Sequence, residues 1–286
     1  MPHVSANGIE IHYELHGEGP GTPLVLTHGF AAPFEQWKPD VMPLGAARPL
    51  LLYDVRGHGE TTVPPDPSDY SMPVFAADLD ALLDALEIQR AHIAGVSMGG
   101  MVTAQFAVDF PDKCASVSII DSTCGSGADQ GPAGDWERRL LEGISTLRHM
   151  AKTYGLEETV RREQEWKKAN DPHLDVSPYT FEDDYARIAM MTVDGYLGAA
   201  KAIAERPDLT ARIPSIEAPT LFTIGEWDDF HPCAVRDHSL IPGSRLVVRR
   251  NCAHGTRWRV ETFRSELESF LADVEAGHDV AGEREV

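Results

Sequence analysis

The stretch Ala91-His92-Ile93-Ala94-Gly95-Val96-Ser97-Met98-Gly99-Gly100 is the most informative in the chain. Its apolar start indicates a strand, and residues 98–110, which end before a proline, indicate a helix. A turn this tight leaves no room for side chains at Gly95 and Gly99. It places the hydroxyl of Ser97 at the helix N-terminus, where the helix dipole favours developing negative charge. The stretch therefore predicts a strand–turn–helix that presents a nucleophilic serine.

Other short apolar runs, typical of strands covered on both faces of a parallel sheet, lie on either side of this stretch. They are Leu24–Leu26, Leu50–Tyr53, Val117–Ile120, Thr220–Ile224 and Arg245–Val248. Amphipathic helical patterns occur at Val74–Leu86 and Trp258–Val274, and the alternating run Ile9–Leu15 after Asn7-Gly8 indicates an N-terminal hairpin. This order predicts an α/β fold with a mostly parallel, doubly wound sheet, formed by residues 1–124 and 210–276.

Residues 125–209 interrupt the alternation of strands and helices. They contain helical patterns and polar turns but no convincing strand, so we predict a helical cap inserted between two strands of the sheet. Apolar and aromatic residues of this cap are candidates for lining a substrate pocket or for packing the cap on the core. They are Trp136, Trp166, Tyr179, Phe181, Tyr185, Met190, Met191 and Tyr196. Residues 277–286 are polar and lack periodicity, which predicts a frayed, disordered tail.

A serine nucleophile needs a base, and His254 is the best candidate among the histidines after Ser97. It lies between the last predicted strand and the last predicted helix, at the carboxyl edge of the sheet, where open α/β sheets carry their sites. The base needs an acid to orient it. Asp228, just after the strand Thr220–Ile224, is the preferred acid, and Asp121, which ends an earlier strand, is its rival.

Two loops after earlier strands complete the candidate site. The loop His28-Gly29-Phe30 can aim the Phe30 backbone N–H at the site, and the N–H of Met98 can act beside it as an oxyanion hole. We assign His28 to organising this loop rather than to acting as the base. Asp54 and Arg56 are expected to anchor the next loop by hydrogen bonds.

The composition excludes some classes of partner. The 286 residues carry a formal net charge of −20, a surface that repels phosphate backbones, so we expect no nucleic acid partner. No run of apolar residues approaches the length of a membrane span, and the N-terminus has no signal-peptide pattern. The four cysteines show no zinc spacing and are expected to be free thiols. We therefore expect a cytoplasmic protein without a membrane partner, and the oligomeric state is left open.

The motifs together resemble the α/β-hydrolase superfamily over essentially the whole chain. They are His28-Gly29-Phe30, Asp54-x-Arg56-Gly57-His58-Gly59-x-Thr61, Gly95-x-Ser97-Met98-Gly99-Gly100, Gly225-x-x-Asp228 and His254. The run from Asp78 to Gly95 is similar to the branch of enol-lactonases, esterases and cofactor-free haloperoxidases. The resemblance implies a Ser-Asp-His triad, a cap after the sixth strand, and no metal or organic cofactor.

The hypothesis is an enzyme that cleaves a small carboxylic ester or lactone through an acyl-enzyme at Ser97, with Asp228 and His254 as its partners. A carbon–carbon bond hydrolase with the same triad and a cofactor-free haloperoxidase or perhydrolase are the alternative enzymes. A hydrolase-fold receptor without catalysis is a further alternative, because a fold does not determine a function.

Overall fold

A nine-stranded sheet forms the centre of the computed structural model, which describes residues 2–286. The strands are β1 His3–Ala6, β2 Ile9–His16, β3 Leu24–Thr27, β4 Leu50–Tyr53, β5 Ala91–Val96, β6 Cys114–Ile120, β7 Thr220–Gly225, β8 Arg245–Arg249 and β9 Gly282–Glu285. Their order is β1-β2-β4-β3-β5-β6-β7-β8-β9. All neighbouring pairs from β4 to β9 are parallel, whereas β1–β2 and β2–β4 are antiparallel.

Helices cover both faces of this sheet. They are α1 Lys38–Val41, α2 Met72–Ala85, α3 Met98–Asp109, α4 Pro132–Tyr154, α5 Leu156–Asn170, α6 Phe181–Ile188, α7 Val193–Ala204, α8 His231–Leu240 and α9 Val260–Glu275. The apolar faces of α2 and α3 pack into one core cluster, and α1 and α9 pack into a second cluster with other strand residues. Because both faces of the sheet are covered, β5 is buried along its whole length, and its residues other than His92 are apolar or glycine rather than alternating. The α/β, doubly wound fold predicted from the sequence is confirmed.

The predicted N-terminal hairpin is present as β1 and β2. Asn7 and Gly8 both have positive φ, at 48° and 77°, which is the backbone conformation of the tight turns that join antiparallel strands.

The four cysteines, Cys114, Cys124, Cys233 and Cys252, are free and buried. Among the described residues, no helix is long and apolar enough to cross a membrane.

Helices α4 to α7 lie between β6 and β7, inside the segment that the sequence analysis assigns to a cap. Helix α7 packs on the sheet side, because Ala199, Ala200 and Ile203 belong to the main core cluster. A small separate cluster contains residues of all four inserted helices, including Val160 and Ile188. Helix α4 also reaches the main cluster through Ile144, so the inserted segment has a small core of its own and is joined to the rest of the protein through α4 and α7.

The prediction of a frayed tail over residues 277–286 is wrong for residues 282–285, which form β9. This strand pairs in parallel with β8, and the Val286 N–H donates to the Val248 carbonyl at 3.0 Å. Every side chain of β9 is exposed, so the strand has no apolar pattern that could reveal it in the sequence. This strand supplies hydrogen-bond partners to the backbone groups of β8 and places charged residues along this edge of the sheet.

The turn between β5 and α3 is packed too tightly for any side chain at its two glycines. A Cβ at Gly95 would collide with the Gly99 carbonyl, and a Cβ at Gly99 would collide with the Thr27 carbonyl of β3. Both obstacles are backbone atoms, so no side-chain rearrangement can relieve the clash. The sequence prediction that these positions require glycine therefore has a specific steric cause.

We predict that Gly95→Ala lowers the free energy of unfolding by roughly 2–3 kcal/mol or more, because the added methyl group must displace backbone. Gly143→Ala is the matched control, since Gly143 lies in α4 and nothing lies within 4 Å of its Cβ position. That change is expected to stabilise the protein by about 0.5–1 kcal/mol. Urea unfolding followed by circular dichroism measures both values, and equal stability of the two variants would contradict the steric account.

Candidate active site

Four polar side chains follow four adjacent parallel strands. Ser97 follows β5, Asp121 follows β6, Asp228 lies three residues past β7, and His254 lies five residues past β8. Because parallel strands have their carboxyl ends at the same edge of the sheet, these loops share one edge. The structure therefore brings the loops of the three sequence-predicted residues, and of the rival acid, to a common location.

Ser97 occupies a strained backbone conformation, with φ 57° and ψ −117°. Such a conformation costs on the order of 1–3 kcal/mol in a non-glycine residue and needs neighbours that hold it in place. The Ser97 N–H donates to the Ile120 carbonyl at 2.9 Å, and the Ser122 hydroxyl donates to the Ser97 carbonyl at 2.6 Å. Met98 begins α3, so its N–H belongs to the helix terminus and lacks an acceptor within the helix.

His254 and Asp228 are joined directly, with His254 Nδ1 at 2.8 Å from Asp228 Oδ2. The other carboxylate oxygen, Asp228 Oδ1, accepts the Phe230 N–H at 2.9 Å, which fixes the orientation of the carboxylate. The Asp228 side chain is fully buried, whereas the imidazole is 44% exposed. One face of the ring packs against Phe230 at a centroid distance of 5.4 Å. The imidazole is thus oriented by a buried acid and still open to the surroundings.

The charge of Asp228 changes the protonation of this imidazole. Removal from water lowers the pKa of His254, but the Asp228 carboxylate beside Nδ1 and the nearby Asp121 raise it, and the pKa is about 8. The interaction stabilises the folded protein most at pH values below the ordinary pKa of about 6.5. This contribution is lost as the pH rises through about 8, where the ring becomes neutral.

Asp121, the rival acid, is engaged elsewhere. Both of its oxygens lie 2.6 Å from Arg249 Nη2. They also accept the Gly225 and Gly255 N–H groups, each at 3.1 Å. Its carboxylate is therefore saturated by donors other than an imidazole, which favours Asp228 as the partner of His254.

The loop after β3 lies against the serine, since a Cβ at Gly29 would be 3.6 Å from Ser97 Cβ. His28 is fully buried in this loop, where Nε2 accepts the Val55 N–H and Nδ1 donates to the Gly29 carbonyl, both at 2.8 Å. Burial and the neighbouring His58 hold the pKa of His28 well below its usual value, so the ring is neutral. Both ring nitrogens are occupied, which agrees with a loop-organising role. Phe30 is carried at the end of this loop.

The next loop, after β4, is anchored as expected. Arg56 donates two hydrogen bonds to Asp78 on α2, at 2.8 and 2.6 Å. Asp54 accepts the backbone N–H groups of Phe34 and Glu60 at 2.9 and 3.1 Å. These contacts tie the loop to α2 and to the segment after Phe30, and leave its buried ionic groups paired.

Some of the cap residues singled out from the sequence contact the candidate site. The Tyr196 ring packs on Phe30 at 4.6 Å, and the Trp136 ring meets Phe230 edge-on at 5.5 Å. Tyr179 fills the space beside Gly255, which follows His254. Four of the other cap residues singled out from the sequence have exposed side chains: Trp166, Phe181, Tyr185 and Met190. The cap therefore touches both the loop of Phe30 and the loop of His254.

Several residues of the site were not anticipated from the sequence. Phe230 packs on His254, and Trp227 stacks on His173 of the cap at 3.9 Å with nearly parallel rings. Trp258 donates its indole N–H to the His254 carbonyl at 3.2 Å. The only sequence signal that could have identified these three residues is their closeness in the chain to Asp228 and His254.

Among residues 2–286, no group of three or more His, Cys, Asp or Glu side chains is placed to hold a metal ion.

We predict that Asp228→Asn lowers the pKa of His254 from about 8 to roughly 6.5 or below, because asparagine removes the negative charge that raises it. Histidine NMR titration measures this value, with the His254 signals assigned from a His254→Ala spectrum. Asp229→Asn is the control: this neighbouring carboxylate makes no hydrogen bond to the ring, so a smaller shift is expected. A pKa that stays near 8 in Asp228→Asn would show that another acid holds His254.

A family model described as the alpha/beta hydrolase fold matches residues 22–256. A putative 2-succinyl-6-hydroxy-2,4-cyclohexadiene-1-carboxylate synthase of Bacillus subtilis is 26% identical over 254 residues, or 85% of this chain and 88% of the relative. A putative carbamate hydrolase RutD of Variovorax paradoxus is 27% identical over 274 residues, or 93% of this chain and 97% of the relative. These matches extend through the sheet and the inserted helices.

Solved structures agree with this assignment. An esterase from Thermogutta terrifontis has a TM-score of 0.79 at 25% identity, covering 96% of this chain and 99% of its own. The enol-lactonase from Burkholderia xenovorans LB400 has a TM-score of 0.79 at 24% identity, with coverage of 95% and 100%. A bromoperoxidase from Bacillus anthracis has a TM-score of 0.78 at 24% identity, also with coverage of 95% and 100%. The resemblance predicted from the motifs is confirmed: this chain is an enzyme of the α/β-hydrolase family.

Proposed function

We propose that this enzyme cleaves a carboxylic ester or a lactone of a small molecule, with Ser97 as the nucleophile, His254 as the base and Asp228 as the acid that orients it. The observation that carries the proposal is the 2.8 Å contact between Asp228 Oδ2 and His254 Nδ1. With Nδ1 donating to the carboxylate, Nε2 is the nitrogen left to accept a proton. Ser97, at the N-terminus of α3 on the same edge of the sheet, is the hydroxyl that supplies it.

The reaction follows from these roles in two steps. Ser97 Oγ attacks the carbonyl carbon while its proton moves to His254 Nε2, and the N–H groups of Phe30 and Met98 donate to the carbonyl oxygen as it becomes negative. The carbon–oxygen bond then breaks, and the departing alkoxide takes the proton from His254. A water activated by His254 attacks the acyl-enzyme, which releases the carboxylic acid and returns the proton to Ser97.

The names of similar proteins support acyl chemistry at such a site. Among the structural neighbours, the Thermogutta terrifontis protein is named an esterase and the Burkholderia xenovorans protein an enol-lactonase. The Variovorax paradoxus relative is named for carbamates, in which the carbonyl carries a nitrogen. We therefore place open esters and lactones first, and carbamates are the second candidate class.

We predict that Ser97→Ala lowers kcat for short p-nitrophenyl esters by about 10⁴-fold or more, because no other hydroxyl takes its place in the strained turn. A fluorophosphonate probe is expected to label the native protein and not this variant. Ser239→Ala is the control, since Ser239 is an exposed residue of α8 whose hydroxyl bonds only within its own helix.

Undiminished turnover by folded Ser97→Ala would refute the nucleophile assignment. A substrate panel separates the reaction classes: esters, lactones, carbamates, vinylogous diketones, and acetate with hydrogen peroxide. Turnover of diketones alone would assign carbon–carbon bond hydrolysis to Ser97, and peracetic acid formation alone would assign perhydrolysis. Absence of fluorophosphonate labelling and of turnover on the whole panel would favour a binding protein.

A further inference from the structure

Asp121 and Arg249 form an ion pair that has no contact with solvent. Both side chains are 0% exposed, and Arg249 Nη2 lies 2.6 Å from each Asp121 oxygen. Taking two charges out of water costs about as much as their attraction returns, so stability alone is a weak reason for such a pair. The contacts of the pair show a more specific role.

The pair holds the acid loop and the base loop together. Asp121 accepts the N–H of Gly225, the last residue of β7 before the acid loop, and the N–H of Gly255, the residue after His254. Arg249 Nη1 donates to the Gly255 carbonyl at 3.2 Å, so both backbone polar groups of Gly255 are bound by the pair. One carboxylate at the end of β6 thus connects the loops of Asp228 and His254, next to the strand that leads to Ser97.

The two charges also act on His254 in opposite directions. The Asp121 carboxylate raises the pKa of His254, and the Arg249 guanidinium lowers it. Two further carboxylates act on the ring: Asp228, which bonds to it, and its neighbour Asp229. Asp228 raises the pKa of His254 more than either member of the pair, and removal of one member alone leaves the opposite charge of the other unopposed beside the ring.

We propose that Asp121 and Arg249 are positioning residues for the triad, which fix the distance between the acid loop and the base loop and keep two opposite charges beside the imidazole. The proposal rests on the proposed roles of Asp228 and His254. Asp121, the rival acid of the sequence analysis, then acts by positioning the triad rather than as a catalytic residue or through stability alone.

The decisive variants change the charge balance in a known direction. Asp121→Asn leaves the Arg249 cation buried without its counter-ion, so the pKa of His254 is expected to fall by on the order of one unit. Adding Arg249→Met in the same protein removes the cation and is expected to return the pKa toward about 8. Histidine NMR titration reports the pKa, and the pH dependence of kcat/KM reports it through activity.

Arg249→Lys tests the geometric part of the proposal. Lysine keeps the positive charge but cannot bond to both Asp121 and the Gly255 carbonyl with a planar fork. The pKa of His254 is expected to stay near 8, while kcat falls about tenfold or more and KM changes little, because the loops lose their fixed spacing. This conservative variant keeps the test available if Asp121→Asn does not fold.

Arg245→Met is the matched control. Arg245 lies on the same strand, β8, is largely buried, pairs with Asp273 at 2.9 Å and donates to the Val280 carbonyl at 2.8 Å. Its removal is expected to lower stability without changing kcat or the pH profile. A reduced kcat or a shifted pH profile in Arg245→Met would mean that loss of any buried arginine pair on β8 has this effect, and would overturn the proposal.

The proposal and the proposed function fail in different ways. If Ser97→Ala abolishes turnover but folded Asp121→Asn and Arg249→Lys keep the native kcat and His254 pKa, the positioning role is wrong and the triad stands. If Ser97 proves unreactive, the NMR titration still decides whether loss of one charge of the pair changes the pKa of His254. An unchanged pKa in both Asp121→Asn and the double variant overturns the electrostatic role.

Discussion

The parallel pairing of β5, β6, β7 and β8 is the constraint on which the rest of the molecule depends. It aligns the ends of four strands, so that Ser97, Asp121, Asp228 and His254 are delivered to one edge although they span residues 97–254. Helices can pack on both faces of such a sheet because its central strands are buried and mostly apolar. The carboxyl edge stays free of these helices and is covered instead by loops and by the inserted segment.

Electrostatics at this edge is arranged in two layers. The outer layer is the contact of Asp228 with a half-exposed imidazole, in which the carboxylate holds the pKa of His254 at about 8. The inner layer is the fully buried pair of Asp121 and Arg249, whose hydrogen bonds reach both loops of the outer layer. The two aspartates are alike in sequence position, and their neighbours give them different roles.

The inserted helices contribute in a different way. Helices α4 and α7 contribute residues to the main core, and a small separate cluster holds residues of all four inserted helices. Contacts between the inserted segment and the site are mostly aromatic: Tyr196 on Phe30, Tyr179 beside Gly255 and His173 on Trp227. Aromatic rings supply large contact areas with few rotatable bonds, so they pack the inserted segment firmly against the loops of Phe30, Asp228 and His254.

The sequence by itself determined the sheet, the turn at Ser97 and the order of the candidate site residues, because each depends on a local pattern of apolar runs, glycines and strand ends. It left Asp121 and Asp228 as rivals, since both follow a strand, and it gave no sign of Arg249. Strand β9 was also hidden, because its pairing uses backbone atoms and all its side chains are exposed. Only the tertiary structure decided these points, because burial of an ion pair, the partner of a carboxylate and the pairing of an edge strand arise between residues far apart in the chain.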